Sequence, residues 1–579
     1  MLKVNNLSYW QLQKDLYKEI SFSVEEKDHC AFIGINGSGK STLIDLIINS
    51  EKHSYNGDIE LDNNAIIGYI SQFSNMDDIK DLTIFEYIAK DYLTLQKELE
   101  NICIEMETSS EIEKLLEEYQ RVSDDLDALG GSDFEQSISK KMNLANLSNY
   151  NELLISELSS GEFKLVKIIK EMLQNPDLLI MDEPDAFLDF ENLNSLRNLI
   201  NSYKGTLLVV THNRYLLNNC FNKILHLENT LVQEFNGKYI DYKFSLLESK
   251  IELQELSIKD EEEIERNEVI LRKYRKAASL NPDAGIGKYA KARATIIQRL
   301  EDRKTNAPFV YIKEPEINLY TEKEIDDDIV LEVKDLNISF DESILENISF
   351  DILKNEKVAI VGANGTGKTS LLRKLYKNND NSIKYNELVD FEYLSQAQGE
   401  VLDENNTVFE ELSQCNFETR EDIILSLEKY NFNEEFLEQK ISSLSGGEKN
   451  LIQIIKIESA KSNMLLLDEP TSHLDTYSQI ALEKAVKNYN GSVLMVSHDL
   501  YFIINTMDYV LLVEDKSIRR INMKKFKKLV YSKYFERETM ELEEKKKLLE
   551  TKIEKALEDN NFELAQVLAL ELSETIKLI

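Results

Sequence analysis

A duplicated α/β fold built around two phosphate-binding loops is what this sequence predicts, and three observations carry the expectation. The first is a glycine loop, Gly34-Ile35-Asn36-Gly37-Ser38-Gly39-Lys40-Ser41, set between the apolar run Ala31 to Ile33 and the helix-like Thr42-Leu43-Ile44. The second is its repetition as Gly362-Ala363-Asn364-Gly365-Thr366-Gly367-Lys368-Thr369, the two lysines standing 368 − 40 = 328 residues apart. The third is the alternation of short apolar runs with helical stretches in both copies, the pattern of a largely parallel sheet covered by helices.

Each loop has a mechanism. Glycines without a Cβ let a row of backbone N–H groups turn toward phosphate oxygens, and the following helix N-terminus adds its positive end. The lysine then reaches the outer phosphates and the Ser or Thr hydroxyl holds Mg²⁺. The expected phosphate-binding residues are Gly34, Asn36, Gly37, Gly39, Lys40, Ser41 and Thr42, and in the second copy Gly362, Asn364, Gly365, Gly367, Lys368, Thr369 and Ser370. Flanking segments repeat too: Leu2 to Leu7 answers Leu331 to Leu336, and Ile20-Ser21-Phe22 answers Ile348-Ser349-Phe350. One domain has been duplicated in tandem.

In order along the chain, residues 1–242 read as the first domain, with strands near Leu2 to Leu7, Ser21 to Val24, Ala31 to Ile33, Leu178 to Met181 and Thr206 to Val210. From Gln72 to Leu158 is 86 residues, against 48 from Gln396 to Leu444, so the first copy carries about 38 extra residues. These fall at about 87–129, where Leu93, Leu95, Leu99, Ile102, Ile104, Ile112, Leu115, Leu116 and Tyr119 recur at near-helical spacing, the pattern of a projecting hairpin or of a solvated insert without a partner. Residues 243–315 read as a helical linker whose arms meet at a loop near 279–287, residues 316–525 as the second domain, and 526–579 as a helical extension that packs on the body or reaches a partner.

The formal charge of −37 argues against indiscriminate nucleic-acid binding, because phosphate would be repelled over most of the surface. Against that background the linker centre stands out. Between Arg272 and Lys304 lie ten basic residues and three acids, with Tyr274 and Tyr289 interleaved, and Arg272, Lys273, Arg275, Lys276, Lys288, Lys291 and Arg293 are the expected RNA contacts. A solvated face is the competing reading. No apolar run is long enough to span a membrane and no signal-peptide layout opens the chain, so a cytoplasmic location is expected. The four cysteines lack metal-ligand spacing and read as reduced thiols.

Downstream of each loop a buried-strand run ends in two acids, Asp182-Glu183-Pro184 and Asp468-Glu469-Pro470. The first acid suits the Mg²⁺ shell and the second the attacking water. His212 and His498 follow a further strand, each 30 residues beyond its aspartate, and can contact the γ-phosphate. Leu158-Ser159-Ser160-Gly161-Glu162 and Leu444-Ser445-Gly446-Gly447-Glu448 each stand 24 residues ahead of that aspartate.

In this order and spacing the chain resembles the ATP-binding cassette superfamily, with two P-loop ATPase domains. The resemblance implies that each signature caps the ATP held by the other cassette: Lys40, Asp182 and Glu183 with Ser445, Gly446 and Gly447 form site one, and Lys368, Asp468 and Glu469 with Ser159 and Gly161 form site two. It places Gln72 and Gln396 with Ser41, Thr369, Asp182 and Asp468 around Mg²⁺, and Glu183, Glu469, His212 and His498 as catalytic residues. An aromatic stacks on adenine ahead of each loop in this family; Phe340 fits in the second copy, and Trp10 is the first-copy choice unless it packs in the core. Ser160 for the signature's middle glycine, and Asp185-Ala186-Phe187 for Thr471-Ser472-His473, depart from the pattern in the first copy and lead us to expect unequal sites.

Two cassettes in one chain, a charged helical linker and a first-cassette insert resemble the class-F proteins of that superfamily. The resemblance implies an ATPase using ATP and Mg²⁺, monomeric with paired cassettes, that binds the ribosome's tRNA exit site. Its partners would be exit-site proteins, 23S rRNA and P-site tRNA, with the linker reaching the peptidyl transferase centre. The linker, about 70 residues with an extended tip loop, resembles that of the antibiotic-resistance ribosome-protection group acting against lincosamides, streptogramins A, pleuromutilins, phenicols or oxazolidinones. A housekeeping translation factor is the alternative. A transporter ATPase with separate membrane subunits and a DNA-repair-type clamp are the readings from other classes.

Overall fold

The computed structural model describes residues 1–578 except 12–13, 63–64, 73–78, 108–111, 149–151, 281–283, 305–313, 324, 326–327, 340–342 and 535–538; for 11, 14, 257–258, 261–262, 274–280, 284–287, 290, 301–304, 534 and 539 it describes backbone alone. The described chain forms two compact units. One holds Met1–Glu234 with Glu314–Leu529, and the other Phe235–Lys313 with Val530–Ile579.

In the first unit each cassette is built on a six-stranded sheet. The order is Ile67–Ile70, Leu178–Asp182, Thr206–Val210, His29–Gly34, Lys223–Glu228, Leu231–Asn236 in the first and Phe391–Leu394, Met464–Asp468, Ser492–Val496, Lys357–Val361, Tyr509–Glu514, Ser517–Asn522 in the second. The central pairs are parallel, and strands such as Leu178–Asp182 and Met464–Asp468 are buried throughout, which is why they read as unbroken apolar runs. The strand leading to each glycine loop lies mid-sheet, so loop, acids and histidine all emerge at one carboxyl edge. A three-stranded antiparallel sheet flanks each core, centred on Leu2–Gln11 in one and Ile329–Ser339 in the other.

Within the first cassette, helices Lys90–Met106 and Ile112–Ala128 pack together through Leu95, Leu99, Ile102, Met106, Leu115 and Val122. Ile104, Ile112, Leu116 and Tyr119, which the sequence pattern counted with that seam, are exposed.

The second unit is helical. Tyr239–Leu280 runs for 42 residues, about 63 Å at 1.5 Å per residue, and pairs with Ala284–Lys304. The break near 279–287 is narrower than its Gly-Pro content implied: Leu280 ends one helix and Ala284 begins the next, which leaves only 281–283 outside the described residues. Gly285 and Gly287 lie in the first turn, where glycine costs less than in a helix interior, and Pro-Asp just ahead is helix-start chemistry. The C-terminal helices Thr539–Glu558 and Phe562–Ile576 close a core with the base of the long helix: Ile251 packs with Leu549, Ile553, Ala565 and Leu572. The extension whose fate the sequence left open thus packs within its own unit.

Candidate ATP sites between the cassettes

Helix Lys40–Ile48 starts behind Gly39 at φ 102°, and Lys368–Lys377 behind Gly367 at φ 87°. Side chains are strained in that left-handed region. At Gly39 space is closed as well, since a Cβ there would stand 2.7 Å from the Tyr17 hydroxyl, which donates to the Gly39 carbonyl at 2.5 Å. Sequence reading missed Tyr17; its partner in the duplication is Leu345, so nothing in the repeat marks it. Lys40 Nζ donates to the Gly34 and Ile35 carbonyls at 2.9 Å each, and Lys368 Nζ to Ala363 at 2.7 Å. Burial lowers the proton affinity of both lysines, while Asp475 and Glu183 around one and Glu469 and Asp189 around the other oppose it.

At the ends of their strands, Glu183 and Glu469 sit at φ 47° and 48°. Such residues store about 1–3 kcal/mol of strain and collect at functional sites. Burial pushes the Glu183 carboxyl up to about 7 and Glu469 up to about 8, with Asp185 and Asp468 respectively adding to it. Asp468 is pushed to about 6 by burial against the hydrogen bond it accepts from Thr369 Oγ1 at 3.0 Å; Asp182 is raised by burial against Ser41. Gln72 Nε2 donates to Glu183 Oε2 at 2.5 Å. His498 lies 3.5 Å from Glu469 Oε1 through Nε2, and its backbone N–H donates to Oε2 at 3.2 Å. Burial, then Lys368, holds His498 down to about 3, and burial, then Lys40, lowers His212, so both imidazoles are neutral.

The cassettes meet face to face across these loops. Asn36 donates its backbone N–H to Asp475 Oδ2 at 2.9 Å and its Nδ2 to the His473 carbonyl at 2.5 Å; Asn364 repeats the pair with Asp189 at 2.9 Å and Phe187 at 3.1 Å. A Cβ on Gly447 would fall 2.2 Å from Asn36 Nδ2, and one on Gly161 3.5 Å from Asn364 Nδ2, so each signature lies against the opposite loop. Ser159 and Ser445 cap helices Ser160–Leu173 and Gly446–Ala460 through capping boxes with Glu162 and Glu448. Both helix N-termini therefore face the opposing phosphate loop. A cavity of about 630 Å³ between the cassettes is lined by Ser159, Lys368, Thr369, Gln396, Glu469 and His498 among others.

One of the first copy's departures, Asp185, coincides with a second difference between the cassettes. Asp185 stands where the second cassette has Thr471, and Lys164 stands where it has Asn450. Lys164 is buried, with its Nζ donating to the Glu183 carbonyl at 2.7 Å and Gln72 at 3.3 Å, and Asp185 accepts from Thr211 Oγ1 at 2.6 Å. Burial pushes the Lys164 ammonium down to about 8 while the Asp185 charge opposes that shift, and burial raises Asp185 while Thr211 and Lys164 oppose it. Asn450 does the same propping without charge, donating to Pro470 and Ser472 carbonyls at 3.1 and 2.9 Å.

The expected adenine aromatics fare differently. Trp10 is 51% exposed, which removes the core-packing alternative, and Phe340 lies outside the described residues. Among the expected RNA contacts, Arg293 is half-buried and donates to Asn267 Oδ1 at 2.8 Å, so it joins the two linker helices instead of facing solvent. Arg272 is paired with Glu268 at 2.9 Å one turn away. Lys273, Lys288 and Lys291 are exposed, and the side chains of Arg275 and Lys276 lie outside the described residues.

The chain belongs to the ATP-binding cassette family: the ABC transporter family model matches residues 17–186 and 345–472, one stretch in each cassette. It is an ATPase. ABC transporter F family member 2 of Arabidopsis thaliana is 30% identical over 89% of this chain and 76% of its own length. The energy-dependent translational throttle protein EttA of Haemophilus influenzae is 27% identical over 86% of this chain and 89% of its own. Among solved structures, RNase-L Inhibitor superposes with a TM-score of 0.56 at 19% identity, each chain covered to 92%, a likeness of fold. No described helix is long and apolar enough to cross a membrane.

The residues present fit Mg²⁺ and ATP. Hydroxyl and carboxylate oxygens of Ser41 with Asp182, and of Thr369 with Asp468, are hard donors beside each lysine. Among the described residues Ser38 Oγ, His212 Nε2, His498 Nδ1 and Glu469 Oε1 are buried without a hydrogen-bond partner, and all four lie at these sites.

Proposed function

We propose that this chain is a class-F ATPase of translation that binds the ribosome at the tRNA exit site and places its linker helices against P-site tRNA and 23S rRNA. The observation that carries this is the pairing of two complete cassettes face to face in a chain with no membrane-spanning helix among its described residues. It is supported by similarity, over most of the chain, to a protein whose name makes it a throttle of translation.

In this reading Gly34, Asn36, Gly37, Gly39 and Lys40 hold one triphosphate against Ser445 and Gly447, and their counterparts Gly362 to Lys368 hold the other against Ser159 and Gly161. Bound Mg·ATP supplies the phosphoanhydride and the charge that neutralises it. Ser41, Asp182 and Gln72, and Thr369, Asp468 and Gln396, would hold the metal. Glu183 and Glu469 orient and deprotonate the attacking water, and neutral His212 and His498 donate from the γ-phosphate side. Closing the cassettes buries both nucleotides, so closure depends on ATP and hydrolysis releases it. Lys273, Lys288 and Lys291 give the linker positive charge that favours one RNA pocket on an acidic protein.

Ribosome protection against peptidyl-transferase antibiotics is the narrower reading. It leans on an extended tip loop, and the helix starting at Ala284 takes most of that loop away, which favours a general translation factor. Pelleting ribosomes with a Glu183→Gln, Glu469→Gln double variant and ATP tests the main proposal: the variant is expected in the ribosomal pellet, and its absence there sinks the proposal. Inhibitory concentrations in a drug-sensitive host carrying the wild-type chain decide between the two readings; no rise for any such drug removes protection.

A further inference from the structure

One half-buried cation crosses between the cassettes beside the histidine loops. Arg214 opens helix Arg214–Cys220, two residues past His212. Its guanidinium donates through Nη1 to Glu483 Oε2 at 2.9 Å and through Nη2 to Asp499 Oδ2 at 3.0 Å, and it lies 5.2 Å from the Tyr501 ring centroid. All three partners belong to the second cassette. Asp499 directly follows His498, and its Oδ1 caps helix Leu500–Thr506 by accepting from Phe502 N–H at 3.0 Å. Glu483 is held in turn by Asn505 Nδ2 at 2.6 Å.

The device exists on one side only. The cassettes align here with an offset of 498 − 212 = 286, which puts Leu500 opposite Arg214, Asn213 opposite Asp499 and Arg197 opposite Glu483. Leu500 is buried and cannot donate, and Arg197 turns instead to Asn198 at 3.0 Å and the Tyr215 ring at 5.6 Å. Because Arg214 and its carboxylates sit on different cassettes, separation would return all three to water and closure would bury them together. A pair of this kind adds little net stability but strongly selects one register.

We infer that Arg214 is a positioning residue through which the first cassette sets the His498 loop, so that closure prepares site two for hydrolysis by a route site one lacks. The inference rests on the assignment of Glu469 and His498 to site two. The test uses the full chain and Arg214→Leu, the residue at the equivalent position, with Arg214→Lys as the conservative variant. With Glu183→Gln silencing site one, Arg214→Leu is expected to lower the single-turnover rate at least tenfold while the half-saturating ATP concentration changes less than threefold; Arg214→Lys should keep most of the rate. With Glu469→Gln silencing site two, Arg214→Leu should cost less than threefold. Equal losses at both sites, or none, overturn the inference. Amide hydrogen exchange over 500–506 with a non-hydrolysable ATP analogue gives a readout independent of the glutamates: the analogue should slow exchange in the wild type and fail to do so in Arg214→Leu. Should the glutamine variants silence neither site, the glutamate assignment has failed and exchange alone decides; identical protection in both proteins overturns the latch.

Discussion

Gly447→Ala separates the two sites on steric grounds. A Cβ at 447 would meet Asn36 Nδ2 at 2.2 Å and the His473 carbonyl oxygen at 2.6 Å, and the second is backbone that cannot swing aside. Overpacking of this kind costs about 1–3 kcal/mol. Displacing Asn36 also breaks its hydrogen bond to His473, worth about 0.5–1.5 kcal/mol. Together these come to about 1.5–4.5 kcal/mol against closure at site one, roughly 10- to 1,600-fold at 1.4 kcal/mol per tenfold. Gly161→Ala is the control. Its Cβ would meet Asn192 Nδ2 at 3.0 Å, Leu188 Cδ2 at 3.3 Å and Asn364 Nδ2 at 3.5 Å, all ends of side chains that can give, so the loss at site two should stay within about fivefold, or 1 kcal/mol. The assay is single-turnover ATP hydrolysis by the full chain, with Glu469→Gln isolating site one and Glu183→Gln isolating site two. Equal losses in the two pairs would refute the claim that Asn36 and Gly447 pack more tightly than Asn364 and Gly161.

Two further outcomes are expected. Tyr430 is buried and donates to Glu458 at 2.6 Å, so Tyr430→Phe should destabilise the second cassette by about 1.5–3 kcal/mol in denaturant unfolding. Burial already raises Glu458 above its ordinary value and the tyrosine opposes that rise; without it the folded state binds the proton more tightly, so the variant should lose more stability at pH 8 than at pH 5, and a pH-independent loss would contradict the pairing. Lys288→Gln with Lys291→Gln should weaken ribosome pelleting and reduce the slope of log affinity against log salt by about one for each phosphate no longer neutralised; an unchanged slope would exclude these lysines from the RNA interface.

Local chemistry made much of the fold and the candidate sites legible. Strand, glycine loop and helix succeed one another within a dozen residues, and Asp182-Glu183 and Asp468-Glu469 close strands whose unbroken apolar runs declare burial on both faces. Arg293 was less readable, because a basic residue bridging two helices and one facing solvent look alike until Asn267 is placed beside it. The tip of the linker misled for a related reason: glycine content signals a turn, yet two glycines in a first helical turn are tolerated.

By itself, then, the chain's order of residues determined the duplication, the phosphate loops, the paired acids and the histidines, since each depends on neighbours a few positions away. Only the tertiary structure decided that Lys164 reaches the Glu183 carbonyl, that Tyr17 closes over Gly39, that the last helices pack on the base of the long one, and that Arg214 binds across the cassettes where Leu500 cannot. Those contacts join residues far apart in the chain. Their energies come from burial and shared charge, which spacing along a sequence does not record.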